Sequence, residues 1–321
     1  MHPSCRHLLS LPGQYMPLSG LMRCVDISFF LPLYHNISNS EIPWLAPFYY
    51  SNSTKQFEKD IDFMLEHFLP VSLETLHQVL SGREPAWPEK PMMHLSIDDG
   101  LKSCRETIAP ILLKKGLPAS FFVNPAFIGN QALFYRYKIG LTLNSRPNLP
   151  SAIRKQLMSM TYTDTPHIDQ LMIKYGVDFN TRMQAEQPYM TESDLQWLSD
   201  QGFSLGAHSM DHPDFRLLND KERKKQVSDS VNWIQNRFPQ KVVAFSFPFT
   251  DYGMPADFIR WLSTKCDLSF GCAGLKTDII PTHLQRLAMD KYPLNSAKKV
   301  FKSNLFLKIL KSPFGRNKIS R

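Results

Sequence analysis

Met92-Met-His-Leu-Ser-Ile-Asp98-Asp99-Gly100 is the stretch of this 321-residue chain that decides its fold. A short apolar run that ends at turn-forming residues is typical of a buried strand. Taken alone, Asp-Asp-Gly after a strand is most often a turn, because Asp bonds its own backbone and Gly accepts a positive φ. The pattern becomes informative when other strands in the chain also end in polar residues.

Seven segments of the chain have the length and composition of strands. They are Ile27–Leu33, Met92–Ile97, Ala119–Val123, Phe203–Ala207, Val242–Phe247, Leu268–Cys272 and Gln285–Met289. Helical spacing of apolar residues predicts helices between them, at Gln56–Phe68, Cys104–Lys115, Asp220–Phe238 and Pro255–Lys265. Thr191 and Asp194 resemble a capping box. The alternation predicts an α/β fold with a parallel sheet or barrel, and about seven strands favour the barrel over an open sheet. The stretch at about 130–188 does not fit the alternation and is predicted to be a helical insertion.

The charge of the chain divides it into regions. Nine Lys or Arg and no Asp or Glu lie within 291–321, whereas the whole chain has 37 basic and 29 acidic residues. The predicted regions are an N-terminal extension (1–26), the barrel with its insertion (27–290) and a basic C-terminal helix and tail (291–321). Because the barrel region is nearly neutral, nucleic-acid binding is not expected. The basic helix either packs on the barrel or contacts an anionic membrane through 294–321.

Composition excludes several other classes of protein. The chain is 43% apolar and 21% charged, as in ordinary globular domains. Its five cysteines contain no C-x-x-C pair, so neither a disulfide framework nor a cysteine zinc cluster is indicated. Pro12 and Pro17 interrupt the apolar stretch of a secretory signal. We therefore expect a cytoplasmic protein, which could also contact the inner membrane peripherally. A periplasmic or secreted location is the alternative. The functional start of the chain is either Met1 or Met22.

Polar residues follow four of the predicted strands. They are Tyr34-His35, Asp98-Asp99-Gly100, His208-Ser-Met-Asp-His212-Pro213 and Pro248-Phe249-Thr250. In a parallel β/α array the carboxyl ends of the strands share one face, so these four segments converge. His208 and His212 are four residues apart, which would place them one helical turn from each other. A carboxylate with two imidazoles suits Zn²⁺ or another divalent transition metal, and a second carboxylate can act as a base. The residues alone do not say which aspartate has which role.

Three of these motifs carry a family resemblance. They are Leu95-Ser-Ile-Asp98-Asp99-Gly100, His208-Ser-Met-Asp-His212-Pro213 and Phe245-Ser-Phe-Pro248-Phe249-Thr250-Asp251-Tyr252. The first resembles the T-F-D-D-G motif of polysaccharide deacetylases, the NodB-homology carbohydrate esterases of family 4. The second matches their H-[ST]-x-x-H-P motif and the third resembles their Pro-aromatic motif. The resemblance spans about 27–290 and implies the fold of that family, a distorted (β/α)7 barrel. It also implies a hydrolase that removes an N-acetyl group from a glycan and releases acetate.

The order of the motifs departs from the usual one. Most family members end in a Leu-x-His motif that carries the general acid, whereas Leu33-Tyr34-His35 stands at the amino end of this chain. This order is similar to that of the circularly permuted subgroup that deacetylates N-acetylglucosamine polymers. Because a closed barrel has no first strand in space, permutation leaves the site unchanged. Ser246 also stands where many members have an Arg that orients the base, and Arg286 is the substitute that we predict.

The resemblance implies a role for each site residue. Three residues would hold a divalent metal: Asp99, His208 and His212. Zn²⁺ is the expected ion, with other divalent transition metals as alternatives. Asp98 would act as the base and protonated His35 as the acid for the leaving amine. The backbone N–H of Phe249 would stabilise the oxyanion, and the expected partner is an N-acetylated glycan.

Two other functions remain open at this point. The same metal site could cleave another C–N bond, in a lipid-linked sugar or a cyclic imide. The chain could also be a non-catalytic, carbohydrate-binding member, for which Ser246 is the only hint. The presence of both aspartates, both site histidines and His35 argues against a binding protein, because binding alone does not require such a set.

Overall fold

The computed structural model describes residues 10–83, 90–290 and 296–321. Residues 1–9 of the predicted extension and 291–295 of the predicted tail therefore lie outside the described residues. The strands are β1 (Phe29–Phe30), β2 (Pro32–Tyr34), β3 (Leu69–Pro70), β4 (Met92–Met93), β5 (Leu95–Ile97), β6 (Ala119–Val123), β7 (Ser204–Ala207), β8 (Ala244–Ser246), β9 (Leu268–Gly271), β10 (His283–Gln285) and β11 (Leu287–Ala288). The helices are α1 (Leu18–Arg23), α2 (Thr54–His67), α3 (Leu73–Leu80), α4 (Ala109–Lys115), α5 (Tyr135–Ser145), α6 (Ser151–Ser159), α7 (Thr165–Lys174), α8 (Phe179–Glu186), α9 (Glu192–Asp200), α10 (Asp220–Arg237), α11 (Ala256–Leu262) and α12 (Ala297–Lys311).

Eight strands form one parallel sheet in the order β10-β9-β8-β7-β6-β5-β2-β11. Its two end strands, β10 and β11, are consecutive in the chain and separated only by Arg286. The Arg286 N–H donates to the Gly271 carbonyl at 3.0 Å, and the Leu287 N–H donates to the Leu31 carbonyl at 2.9 Å. One continuous segment of the chain thus pairs with β9 through β10 and with β2 through β11. The two ends of the sheet are therefore adjacent, and the sheet is a nearly closed barrel. The predicted α/β barrel is confirmed: β11 lies within the last predicted strand, Gln285–Met289, whereas β10 overlaps that strand only at Gln285 and completes an eight-stranded sheet.

Two of the predicted strands are divided between two sheets. β1, β4 and β3 pair in a separate three-stranded parallel sheet, whereas β2 and β5 belong to the barrel. The chain changes sheet at Leu31 between β1 and β2, and at His94 between β4 and β5. β3 was not predicted, because two residues are too few to show a periodic pattern.

The barrel strands are buried on both faces because helices cover the outside of the sheet. All five residues of β6 are buried, which is typical of a parallel sheet and explains why all of them except Ser120 are apolar. Helices α9 and α10 pack on β7. The predicted capping box begins α9: the Asp194 N–H donates to Thr191 Oγ1 at 3.2 Å, and the Thr191 N–H donates to Asp194 Oδ2 at 2.8 Å.

The helical insertion between β6 and β7 contains α5, α6, α7 and α8. Its buried apolar side chains form a cluster with Trp44 and Leu45, which belong to the loop that follows β2. At Gly140 of α5 the two backbones approach so closely that an added Cβ would overlap the Trp44 carbonyl group. The insertion is therefore packed against the loop that begins at His35, at the carboxyl end of the barrel.

The apolar side of the C-terminal helix α12 packs in the hydrophobic core. Phe301 is fully buried, and its ring centroid lies 4.7 Å from that of Phe30 and 5.1 Å from that of Phe68. Asp60 Oδ1 accepts the Ala297 N–H at the start of the helix, at 2.8 Å. Membrane contact through 294–321 remains a prediction, and it would rest on exposed residues such as Lys298. None of the described helices combines the length and apolarity that a membrane span requires.

Candidate active site

The carboxyl end of the barrel brings the predicted site residues together. The strand ends that supply them are those of β2 (His35), β5 (Asp98 and Asp99), β7 (His208 and His212) and β8 (Phe249), with Arg286 between β10 and β11. Asp98, Asp99, His208, His212 and Arg286 are each no more than 2% exposed. Such charged and polar groups are buried only where they are paired or bind a ligand.

Asp99, His208 and His212 converge on one point. Asp99 Oδ1 lies 3.2 Å from His212 Nε2 and 3.5 Å from His208 Nε2. No described residue donates a hydrogen bond to this buried oxygen, whereas Asp99 Oδ2 accepts one from the Tyr137 hydroxyl at 2.9 Å. The unsatisfied oxygen therefore faces both imidazoles, and this donor set fits a divalent metal.

The imidazole of His208 is held in the form that binds a metal. Its Nδ1 lies 2.9 Å from the Ser246 carbonyl oxygen, which places the proton on Nδ1 and leaves the Nε2 lone pair facing Asp99. Burial lowers the pKa of His208 to about 4, so the ring is neutral at physiological pH. Such a carbonyl contact is a usual second partner of metal-binding histidines.

Backbone strain is concentrated at this site. Asp99, Ser209, His212 and Phe249 have φ values of 74°, 63°, 59° and 56°, which are rare for residues with a side chain. The prediction that His208 and His212 lie one helical turn apart is wrong, because residues 208–214 form a loop with left-handed residues. Gly100 follows with φ 67°, and an added Cβ would lie 3.1 Å from Val123. Asp-Asp-Gly is thus both a turn and part of the site.

Asp98 is held by Arg286 across the barrel. Arg286 NH1 donates to Asp98 Oδ1 at 2.8 Å and NH2 donates to Oδ2 at 2.7 Å. The Ser246 hydroxyl also donates to Oδ2, at 3.2 Å. Burial by itself raises the pKa of Asp98, but the charge and hydrogen bonds of Arg286, together with His208, hold it below its usual range. The structure therefore places Arg286 in contact with Asp98, and Ser246 adds a second contact. That Arg286 orients Asp98 for catalysis stays a prediction.

Replacing Arg286 with Ala is expected to lower turnover about 100-fold, because Asp98 loses its orientation. The unpaired buried carboxylate should also lower the free energy of unfolding by about 3–5 kcal/mol. Steady-state kinetics and thermal unfolding of the Arg286→Ala and Arg286→Lys proteins test this. The Lys variant, which keeps the charge without the paired contact, should recover part of the turnover. Undiminished turnover in Arg286→Ala would remove Arg286 from the site.

His35 is paired with Asp290. Its Nδ1 lies 3.0 Å from Asp290 Oδ1, and its backbone N–H donates to Oδ2 at 2.6 Å. The ring of Tyr49 covers the imidazole, with centroids 4.4 Å apart. Burial alone lowers the pKa of His35, but the charge and hydrogen bond of Asp290, helped by Asp99 and Asp98, raise it to about 9. His35 is therefore protonated at neutral pH, as a general acid must be.

Asp290→Asn should move the basic limb of the pH–rate profile to lower pH. An acid works only while protonated, so activity is lost as the pH rises through the pKa of His35, at about 9. Removing the Asp290 charge lowers this pKa, and the loss then begins at lower pH. The measurement is kcat against pH for Asp290→Asn, with Asp257→Asn, which changes an exposed carboxylate, as the control. An unaltered basic limb would show that the pairing of His35 with Asp290 does not determine the pKa of the catalytic acid.

Two residues at the site were missed by the sequence analysis. Asp290 directly follows the last predicted strand, so the rule applied to four other strands would have found it. Tyr137 belongs to the insertion, and its bond to Asp99 depends on how the insertion folds over the barrel. No spacing in the sequence signals that contact.

A cavity of about 530 Å³ opens over these residues, within the range of about 300–1,000 Å³ typical of ligand sites. His35 and Asp98 lie in its wall with aromatic side chains that include Tyr49, Phe249 and Tyr252. Tyr252 is 76% exposed at this cavity, which suits contact with a sugar ring. In the described part of the chain no group accepts the backbone N–H of Phe249, so this donor is available to a substrate.

A second cluster of possible ligands, Asp251, Asp278 and His283, lies elsewhere in the structure. His283 Nε2 is 3.0 Å from Asp251 Oδ2. The guanidinium group of Arg321 forms ion pairs with both carboxylates. Because this cation already neutralises the carboxylates, we interpret the cluster as a structural ion-pair network.

Comparisons with known proteins bear on the family and the fold of the chain. The family model described as polysaccharide deacetylase matches residues 87–260. The fold is similar to that of the deacetylase PplD of Streptococcus pyogenes in complex with acetate, with TM-score 0.58 and 15% identity over 87% of this chain and 99% of that chain. It is also similar to IcaB of Ammonifex degensii, with TM-score 0.57 and 16% identity over 88% and 97%. A de-N-acetylase of Aggregatibacter actinomycetemcomitans gives TM-score 0.53 and 14% identity over 85% and 99%. No curated protein sequence matches the chain.

Proposed function

The chain belongs to the polysaccharide deacetylase family, and we propose that it is a metal-dependent hydrolase that removes N-acetyl groups from a polysaccharide or glycan-linked amino sugar. The observation that carries the proposal is the convergence of three groups in one site. They are the ligand set Asp99, His208 and His212, the pair Asp98 and Arg286, and the pair His35 and Asp290. Together they supply a metal site, a base and an acid.

The proposed metal ligands are Asp99 Oδ1, His208 Nε2 and His212 Nε2. A divalent metal held there supplies Lewis-acid polarisation of the carbonyl group and makes water acidic enough to ionise near neutral pH. We propose Zn²⁺, because two imidazoles and one carboxylate with open positions suit it. Other divalent transition metals accept the same ligands.

The residues around the metal site divide the proton transfers between them. Asp98, kept ionised and oriented by Arg286, takes a proton from the attacking water. The backbone N–H of Phe249 donates to the oxygen of the former carbonyl group as negative charge develops on it. His35 donates its Nε2 proton to the leaving nitrogen as the C–N bond breaks. The products are acetate and a free amino sugar.

The solved relatives support the choice of an acetyl group. PplD is described as a deacetylase with bound acetate, and the Aggregatibacter protein as a de-N-acetylase. At 14–15% identity these likenesses establish the fold. The acetamide substrate is therefore our proposal for this chain. It is favoured over a cyclic imide because exposed Tyr252 at the cavity provides an aromatic surface for a sugar.

Acetate release from a panel of amides tests the proposed function. The panel contains N-acetylglucosamine oligomers, a lipid-linked N-acetylated sugar and a cyclic imide, each incubated with Zn²⁺-loaded protein. We expect acetate and a new free amine from the N-acetylated glycans. Ring opening of the imide without acetate release from any sugar would replace this proposal by the alternative amidase. Glycan binding without any hydrolysis would indicate the non-catalytic alternative.

A further inference from the structure

The wall of the active-site cavity carries a cation that the proposed reaction does not use, Arg136 of α5. Its guanidinium carbon lies 4.5 Å from the ring centroid of Phe249 and 5.6 Å from that of Phe48. Its Nε lies 3.3 Å from the hydroxyl of Tyr135, to which it donates. Neither NH1 nor NH2 donates to any residue within 10–83, 90–290 or 296–321. The side chain is thus held in place through its Nε and its stacking on Phe249, while NH1 and NH2 remain available as hydrogen-bond donors.

The other charged groups in the cavity wall are paired. The pairs are His35 with Asp290, Asp98 with Arg286, and Arg216 with Asp214. Burial by itself raises the pKa of Asp214. The hydrogen bonds and charge of Arg216, with a smaller contribution from the charge of Arg136, outweigh it and hold this pKa below its usual value. Among the described residues no carboxylate forms an ion pair with Arg136. The cavity wall therefore has a positive charge without a partner, and that charge belongs to Arg136.

The free edge of a guanidinium group matches a particular kind of ligand. Its two parallel N–H groups bind the two oxygens of a carboxylate or phosphate, and the planar group also stacks on aromatic rings. Arg136 has both features, since it stacks on Phe249 and presents NH1 and NH2. Phe249 is also the residue whose backbone N–H is the proposed oxyanion donor. A group bound by Arg136 would therefore lie next to the reacting acetamide.

We propose that Arg136 recognises an anionic group, a carboxylate or a phosphate, carried by the glycan beside its N-acetylated sugar. The inference rests on the proposed function and narrows its substrate class to anionic glycans. If Arg136 only packed on Phe249, its loss would affect charged and neutral substrates alike. The test therefore compares the two kinds of substrate.

Two matched pairs of probes separate the two sources of charge. For the carboxylate, a tetrasaccharide of alternating glucuronate and N-acetylglucosamine is compared with the neutral N-acetylglucosamine tetramer. For the phosphate, N-acetylglucosamine 1-phosphate is compared with methyl N-acetylglucosaminide. Calorimetry on the Zn²⁺-loaded 321-residue chain gives Kd, and acetate release gives kcat/KM. We expect the charged member of one pair to bind roughly 10- to 100-fold more tightly.

Variants then assign the preference to the guanidinium group. Arg136→Met keeps an unbranched stem on Phe249 and should bring the charged-to-neutral ratio close to one, whereas Arg136→Lys should give an intermediate ratio. Arg105→Met removes a cation that stacks on Trp197 at 3.5 Å and does not line the cavity, so it should leave the ratio unchanged.

Two results would overturn the inference. One is equal binding, or no binding, of the charged and neutral members of both pairs by the unaltered protein. The other is an equal loss of affinity for both members in Arg136→Met. Preferential binding of a charged probe without acetate release would support the anion site and would count against the proposed function.

Discussion

Asp99→Ala is expected to lose bound metal and acetate release together. Asp99 Oδ1 faces both His208 Nε2 and His212 Nε2 without a hydrogen-bond donor of its own. Without this carboxylate only the two imidazoles remain, and neither supplies the negative charge that favours a dication. Because a metal provides several kcal/mol of transition-state stabilisation, turnover should fall by at least about 1,000-fold. Elemental analysis after dialysis and an acetate assay on the same sample measure both losses.

A control for this variant lies in the same loop as His212. Asp211→Ala removes a carboxylate that accepts hydrogen bonds from Tyr162 and Gln226. Asp211 does not belong to the proposed group of metal ligands. It should retain metal at the level of the unaltered protein. Full metal content in Asp99→Ala would show that the ion binds elsewhere, with the Asp251 cluster as the next place to examine.

Asp98→Asn should separate metal binding from turnover. The amide has nearly the same shape as the carboxylate but cannot take a proton from water. We therefore expect the metal content to be retained and kcat to fall by about 100- to 10,000-fold, the range for loss of a general base. Metal analysis, kcat and circular dichroism on one preparation test this.

The design of this experiment must allow for Arg286, which loses its anionic partner in Asp98→Asn. Ser246→Ala is a suitable comparison, because it removes the 3.2 Å contact to Asp98 Oδ2 and a hydrogen bond from Arg286 NH2, but it leaves the ion pair between Asp98 and Arg286 in place. It should lower kcat far less than Asp98→Asn. Turnover within a few-fold of the unaltered protein in Asp98→Asn would require another base.

The strands that could be predicted best are those buried on both faces. β6 was predicted to the residue, since Ala119–Val123 is apolar except at Ser120 and has Pro118 before it and Asn124 after it. The division of the first strand at Leu31 could not be predicted. The division depends on which neighbouring strand pairs with each half, because β1 pairs with β4 and β2 pairs with β5 and β11. The residues of the two halves are similar, so the sequence contains no signal of this difference.

The site was predictable where its residues follow strands. Asp98, Asp99, His208, His212 and His35 were found because polar groups at the carboxyl ends of parallel strands converge. Tyr137 was not found, because its contact with Asp99 is created by the packing of the insertion. The backbone of the loop after β7 also differs from the helical expectation, since a left-handed residue at 212 has no signal in its sequence.

The central claim is that acetate release depends on an ion held by Asp99, His208 and His212. The most direct measurement is the rate of acetate release from an N-acetylated glycan during a Zn²⁺ titration of chelator-treated protein. We predict no acetate release from the metal-free protein, and a rate that rises in proportion to bound metal and saturates at one ion per chain. Acetate release at the full rate from the metal-free protein would contradict the account.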